Sequence, residues 1–123
     1  MIAGIGVDRV VTARIESSLN RFSMRFVQRI YTDGEYQLAK KRGVARRLAM
    51  FFAAKEAASK ALGTGFVGFG MRDIEVVYQA SGKPELVLHG GALLRAQSLG
   101  VHHHHLSLTD DDGVALAFVI MET

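Results

Sequence analysis

Residues 44–65, VARRLAMFFAAKEAASKALGTG, decide how this chain folds. The stretch reads as one long helix from Val44 to Leu62, with Gly63 just past its end, where helices commonly close on a left-handed glycine. At 100° per residue, with Phe52 set to zero, Leu48 falls at about −40°, Ser59 at about −20° and Glu56 at about +40°. Glu56 therefore sits beside the apolar stripe, where a carboxylate loses solvation and needs a partner. Lys60, four residues on, stands in the favourable order for a helix ion pair. Two readings stay open. Either Glu56 and Lys60 are simply that pair, or Glu56 holds a metal ion and Lys60 meets the charge that the metal also meets.

Upstream of this helix, residues 2–11 (IAGIGVDRVV) alternate and predict a strand. Ile5, Val7 and Val11 share one face, interrupted by Arg9. Gly4, Gly6, Asp8 and Val10 share the other, so Asp8 ends a glycine-lined strip that a ligand or another backbone can approach closely. Thr12 is the expected cap of a helix reaching Phe22, and Ser23 of a shorter one reaching Ile30. Thr32-Asp33-Gly34-Glu35 fits a capping box and opens a helix that stops at Gly43.

Downstream, the period changes from Gly70. Asp73–Gln79 and Glu85–His89 read as strands joined by the turn at Ala80–Pro84. Gly91–Leu99 reads as a helix. His103–Thr109 and Gly113–Met121 read as a second hairpin across Asp110-Asp111-Asp112. Helices are segregated after the first strand and hairpins dominate the rest, so the expected class is α+β with mostly antiparallel strands.

The 123 residues are enough for one domain, 1–123, that buries about two-thirds of its surface. With 49% hydrophobic and 22% charged residues, wholesale disorder is excluded. No apolar run is long enough to span a bilayer, no secretory leader is recognisable, and there is no cysteine, so a cytoplasmic protein with no membrane partner is expected. Net charge is +3, but residues 1–60 carry +7 and residues 61–123 carry −4. Such a basic half suits an acidic partner: a phosphorylated ligand, an acidic protein or nucleic acid.

Asp8 and Glu56 together offer hard oxygen donors. With a lysine nearby and no cysteine, they suit Mg²⁺, which commonly takes one or two carboxylates plus substrate phosphates and waters; a plain strand-end role for Asp8 stays open. Gly63-Thr64-Gly65 follows a helix C-terminus, so it is not a Walker loop, and its alternative is a flexible connection. The histidines at 102–105 alternate along a strand, so at most two converge, which disfavours zinc; His105 alone remains a candidate ligand contact. Arg14 and Arg21, seven residues apart, share a helix face that Arg25 extends.

Taken with Gly4-Ile5-Gly6-Val7-Asp8, Arg14-Ile15-Glu16, the block Phe52–Gly65, Gly82-Lys83-Pro84 and His105-Leu106-Ser107-Leu108, the chain resembles the holo-acyl-carrier-protein synthases, small bacterial 4′-phosphopantetheinyl transferases. The resemblance covers almost the whole chain. It implies the transferase-like α+β fold and transfer of 4′-phosphopantetheine from coenzyme A to a serine of apo-acyl-carrier protein, releasing adenosine 3′,5′-bisphosphate, in support of fatty acid biosynthesis. By the same resemblance, Asp8 and Glu56 hold Mg²⁺ (or Mn²⁺), and Lys60 contacts the coenzyme A phosphates. Gly63 and Thr64 line the nucleotide, and Gly82 and Pro84 border adenine with His105 nearby. Arg14 meets the acidic carrier protein, with Arg21 and Arg25 continuing the row. The reading places neither Arg14 nor Arg21 beside the metal. A homotrimer with sites between subunits is implied, and no nucleic acid.

The carrier serine must attack a pyrophosphate whose negative oxygens repel it, so metal and Lys60 charge are what the chemistry requires. Its proton passes to Glu56 or, preferably, to a water that Glu56 positions. Three departures from the family pattern stand out: Arg9 for an aliphatic residue, Phe51 for an arginine, and Thr109-Asp110 for histidine and serine. Arg46 or Arg47 is the expected substitute for the missing arginine, the alternative being weaker coenzyme A binding. The competing classes are a basic nucleic-acid-docking module and a carrier-binding homologue without turnover.

Overall fold

The computed structural model describes residues 1–123 and is α+β. Strand β1 (Ile2–Val11) leads into α1 (Thr12–Phe22), α2 (Met24–Ile30), α3 (Asp33–Lys40) and α4 (Val44–Ala61). A 3₁₀ turn at Met71–Asp73 precedes β2 (Ile74–Tyr78) and β3 (Pro84–Leu88), followed by α5 (Gly90–Ser98), β4 (His103–Asp111) and β5 (Val114–Glu122). Two antiparallel sheets result, one ordered β1-β5-β4 and one a β2-β3 hairpin. The expected elements are all present, most ends lying within two residues of the reading, while α3 stops at Lys40, three residues short of Gly43.

Two expected caps differ. Val11, not Thr12, is the N-cap of α1, and the Thr12 amide is taken by the Gly113 carbonyl at 2.9 Å. The β5 hairpin turn thus reaches this amide before any side chain does. Ser23 does occupy the N-cap of α2, but with φ at 51° its side chain makes no capping bond. Its amide instead closes α1 by donating to the Leu19 carbonyl. The Thr32–Glu35 capping box forms as read, with Glu35 N to Thr32 Oγ1 at 3.1 Å and Thr32 N to Glu35 Oε1 at 2.9 Å.

Helix α4 packs across the three-stranded sheet and is buried on most of its circumference. Its alanines permit a close approach. The face of β1 carrying Gly4 and Gly6 lies so near that a Cβ on either would stand 1.8 Å from a carbonyl oxygen, that of Ala61 or Ala57. Two strand residues advance about 6.8 Å and four helix residues about 6.0 Å, so glycines two apart match carbonyls one turn apart. The core below is formed by Leu48, Phe51, Leu62, Ile74, Val76, Val119 and Met121 among others.

A buried ion pair fixes the helical block to the second sheet. Lys55 Nζ donates to Glu35 Oε1 at 2.7 Å, to the Ile74 carbonyl at 2.6 Å and to the Met71 carbonyl at 3.0 Å. Glu35 Oε2 accepts from the Val76 amide at 2.8 Å. Every proton of the ammonium is therefore used. Burial pushes the Glu35 carboxyl up and the Lys55 ammonium down, and each opposes the other's shift.

Candidate functional site

Asp8 lies on the face of β1 turned to α4, and Glu56 lies on the α4 turn that crosses it. Together with Arg9, Arg14, Ser18, Phe26 and Phe52 they line a cleft of about 400 Å³. Lys60 does not close the helix pair with Glu56. Its ammonium reaches across to Asp8 Oδ1 at 3.1 Å and the Val7 carbonyl at 3.0 Å. The reason is proximity: the glycine strip brings β1 under the last turns of α4, so a strand acceptor lies within reach of the lysine. Partial burial, reinforced by the Asp8 charge and opposed by Lys60, pushes the Glu56 carboxyl up.

Two carboxylates facing one cleft with one ammonium between them leave a net negative charge that a divalent cation relieves. The donors are all hard oxygens, and no group of three or more potential ligands converges anywhere in the chain. Such a pair fits Mg²⁺, which leaves most of its coordination to phosphates and water.

Arg14 stands elsewhere than expected. It lines the same cleft as Asp8 and Glu56, because α1 begins directly where β1 ends and its first turn folds back over the carboxylates. A helical wheel of α1 cannot show this. A second hollow, of about 560 Å³, adjoins through the shared residues Ser18 and Phe26 and is lined by Arg25, Arg29, Phe22 and Ile30. Arg21 lines neither, and its guanidinium lies 5.3 Å from the Phe22 ring centroid. Phe26 and Ser18, which join the two hollows, carried no distinguishing signal in the sequence. Nor did Lys55 as the partner of Glu35.

The remaining candidates lie apart from the cleft. Gly63 follows the α4 C-cap at φ 82°, and its amide donates to the Lys60 carbonyl at 3.0 Å. The Gly65 amide returns to the Ser59 carbonyl at 3.3 Å, so Gly63-Thr64-Gly65 is a wrap around the helix end rather than a loose connection. Pro84 opens β3 beyond the β2-β3 turn. Gly82, in that turn, lines a hollow with Lys41, Arg42, Arg47 and Tyr78. His105 is on the outer face of β4, 3.0 Å from Glu122. Asp8 and His105 thus occupy opposite faces of one sheet, and a single chain does not bring them together.

Position 51 is filled by a fully buried ring that packs on Tyr78, centroids 6.1 Å apart. Of the two candidate substitutes, Arg46 is held by Asp110 at 2.7 Å, whereas Arg47 lies over Tyr78 beside Gly82.

Residues 4–119 match the family model of the 4′-phosphopantetheinyl transferase superfamily. The chain belongs to this superfamily. A holo-acyl-carrier-protein synthase of Halorhodospira halophila is 51% identical over 100% of this chain and 99% of its own. The crystal structure of that synthase from Neisseria meningitidis superposes with a TM-score of 0.90 at 39% identity, covering 100% of both chains. The Helicobacter pylori synthase, solved in complex with coenzyme A, gives 0.86 at 32% identity over 96% of this chain and 99% of its own. Among phosphopantetheinyl transferases, then, this chain is similar to the acyl-carrier-protein synthases over its full length. No helix is long and apolar enough to cross a membrane.

Proposed function

We propose that this transferase moves 4′-phosphopantetheine from coenzyme A to a serine of apo-acyl-carrier protein. Its place is cytoplasmic and its product serves fatty acid biosynthesis. The observation that carries the reading is the cleft shared by Asp8 and Glu56, with Lys60 bonded to Asp8, in a chain similar end to end to holo-acyl-carrier-protein synthases.

The serine hydroxyl attacks the β-phosphorus of coenzyme A. The new bond is serine oxygen to phosphorus, and the bond to adenosine 3′,5′-bisphosphate breaks. Asp8 and Glu56 are the residues that would hold Mg²⁺, which would supply positive charge to neutralise the pyrophosphate and stabilise the departing bisphosphate. Lys60, already 3.1 Å from Asp8, brings a second positive charge to the same phosphates. Glu56 positions the water that accepts the serine proton. Gly63 and Thr64 line the nucleotide, and Gly82, Pro84 and His105 border adenine. Because His105 faces away from Asp8, we assign the adenine side to a neighbouring subunit of a homotrimer. Arg47, free of an acid partner and beside Gly82, is the phosphate contact in place of the residue at position 51.

Arg14 and Arg25 line a continuous concavity from the carboxylates outward, with Arg21 on its flank, and this face meets the acidic carrier protein. The basic half of the chain thus steers two acidic substrates rather than nucleic acid. The test is mass spectrometry of apo-acyl-carrier protein incubated with this protein, coenzyme A and Mg²⁺. One added phosphopantetheine is expected, lost in EDTA and nearly lost with Asp8→Asn or Glu56→Gln while circular dichroism is unchanged. An unmodified carrier in the presence of Mg²⁺ overturns the activity, and full transfer in EDTA overturns the metal.

A further inference from the structure

Helix α5 sends one side chain to the end of α4. Arg95 is half-buried, and its Nε donates to the carbonyl of Leu62, the C-cap of α4, at 3.0 Å. The last carbonyls of a helix have no partner within it, and a cation there also meets the negative end of the helix dipole. The same guanidinium leans over the next residue. Its Nη2 lies 3.5 Å from the point that a Cβ on Gly63 would occupy.

The consequence runs through the backbone. Gly63-Thr64-Gly65 hangs from the last turn of α4 by two amides, Gly63 to the Lys60 carbonyl and Gly65 to the Ser59 carbonyl. Its two glycines stand at φ 82° and 61°, and Gly65 has nothing within reach of a Cβ. Apart from these amides and the Thr64 hydroxyl bond to the Gly65 carbonyl, the external tie at the Leu62–Gly63 peptide is the single hydrogen bond from Arg95 Nε. A charged donor on that carbonyl holds the peptide to which it belongs.

We propose that Arg95 is a positioning residue for coenzyme A: it locks the Leu62–Gly63 peptide from α5 and so holds the Gly63-Thr64-Gly65 turn in the shape that receives the nucleotide. This rests on the reading that Gly63 and Thr64 line coenzyme A. Arg95 itself touches neither the reacting phosphorus nor Asp8 and Glu56, so its removal acts on binding of one substrate and not on the chemical step.

The experiment compares Arg95→Met, which keeps length and loses every donor, with Arg95→Lys, which keeps a cation able to reach the Leu62 carbonyl. For Arg95→Met the KM for coenzyme A rises about five- to tenfold, the scale of one hydrogen bond. Its kcat and its KM for carrier protein stay within about twofold, and Arg95→Lys recovers most of the loss. An unchanged KM for coenzyme A in Arg95→Met overturns the proposal. So does an equal rise for both substrates, or a fall in kcat with no rescue by lysine, because each marks general loosening. Amide shifts of Gly63, Thr64 and Gly65 in the wild-type protein on addition of coenzyme A keep the two readings apart. Shifts at these amides with an unaffected Arg95→Met leave the nucleotide reading standing and overturn the role of Arg95. No shift overturns both.

Discussion

Gly6 shows how one missing side chain sets the site. Its φ is ordinary, so no turn requires glycine here; the space does. A Cβ would lie 1.8 Å from the Ala57 carbonyl oxygen and 3.0 Å from the Ala61 amide, both backbone atoms that cannot rotate away. Gly6→Ala therefore has to lift α4 from the sheet, an overpacking cost of about 1–3 kcal/mol in a denaturant titration. Because Asp8 is two residues along the same strand, transfer is expected to fall further than stability alone accounts for. The glycine strip was legible in the sequence, since alternation alone assigns Gly4, Gly6 and Asp8 to one face. The place of Arg14 was not, since it depends on the angle at which α1 leaves β1. That angle now separates two arginines that a helical wheel treats alike. Arg21→Ala should raise the KM for carrier protein several-fold, about 1 kcal/mol as for the better exposed pairs, with coenzyme A kinetics unchanged. Added salt should weaken the wild type more than this variant. Arg14→Ala should in addition lower kcat, because its guanidinium shares the cleft with both carboxylates.

Among the elements, α4 carries the chemistry because it is clamped on two sides. The sheet presses on Ala57 and Ala61, and the Lys55–Glu35 pair ties the opposite side to β2 and to the 3₁₀ turn that ends the glycine-rich segment. Lys55 and Glu56 are neighbours about 100° apart on the helix, so anchoring one inward aims the other at the cleft. The network continues outward: Glu75 accepts from Thr32 at 2.8 Å and pairs with His89 at 2.9 Å. Burial alone would push the Glu75 carboxyl up, but those two hydrogen bonds leave it below the usual range. The capping box at Thr32 was legible because it is local. The second task of Glu35 was not, because Lys55 is twenty residues away and meets it only in the folded chain. Lys55→Met should cost about 3–5 kcal/mol, since it strands a buried carboxylate. Adding Glu35→Leu to it should recover part of that loss by removing the stranded charge, while the freed Thr32 and Val76 amides and the Met71 and Ile74 carbonyls keep the recovery incomplete. Thermal melts of the two single variants and the double variant check both signs, and carrier modification by the double variant shows whether Glu56 keeps its aim.

At the scale of the molecule, the sheet has one face under α4 and one bare. Ile5, Val7, Leu116 and Phe118 on the bare face are 57%, 51%, 37% and 39% exposed, and the register sets Val7 beside Phe118 and Arg9 beside Leu116. An apolar patch across neighbouring strands marks an interaction surface. The sequence separated the two faces of β1 but gave no sign of which would stay uncovered, since Ile5 and Val7 look like core residues until α4 is seen to take the glycine face. The same sheet divides the candidate site, with Asp8 toward α4 and His105 on the bare side. If copies associate through the bare face, the His105 of one copy is carried toward the Asp8 cleft of the next. In a closed ring such contacts are head-to-tail, so each site draws its two halves from different copies. Complementation tests this directly. Asp8→Asn and His105→Ala chains, each poorly active alone, are coexpressed in equal amounts under different tags and the mixed oligomers isolated. In every mixed ring of three, one site pairs an intact Asp8 side with an intact His105 side, so activity should climb toward about a third of wild type. Sites built within one chain would never regain both halves, and the mixture would show only the average of its parents. A Phe118→Glu change in either partner places a charge in the apolar contact. It should abolish the recovery and shift the protein to a smaller species in sedimentation, while leaving the far-ultraviolet spectrum intact.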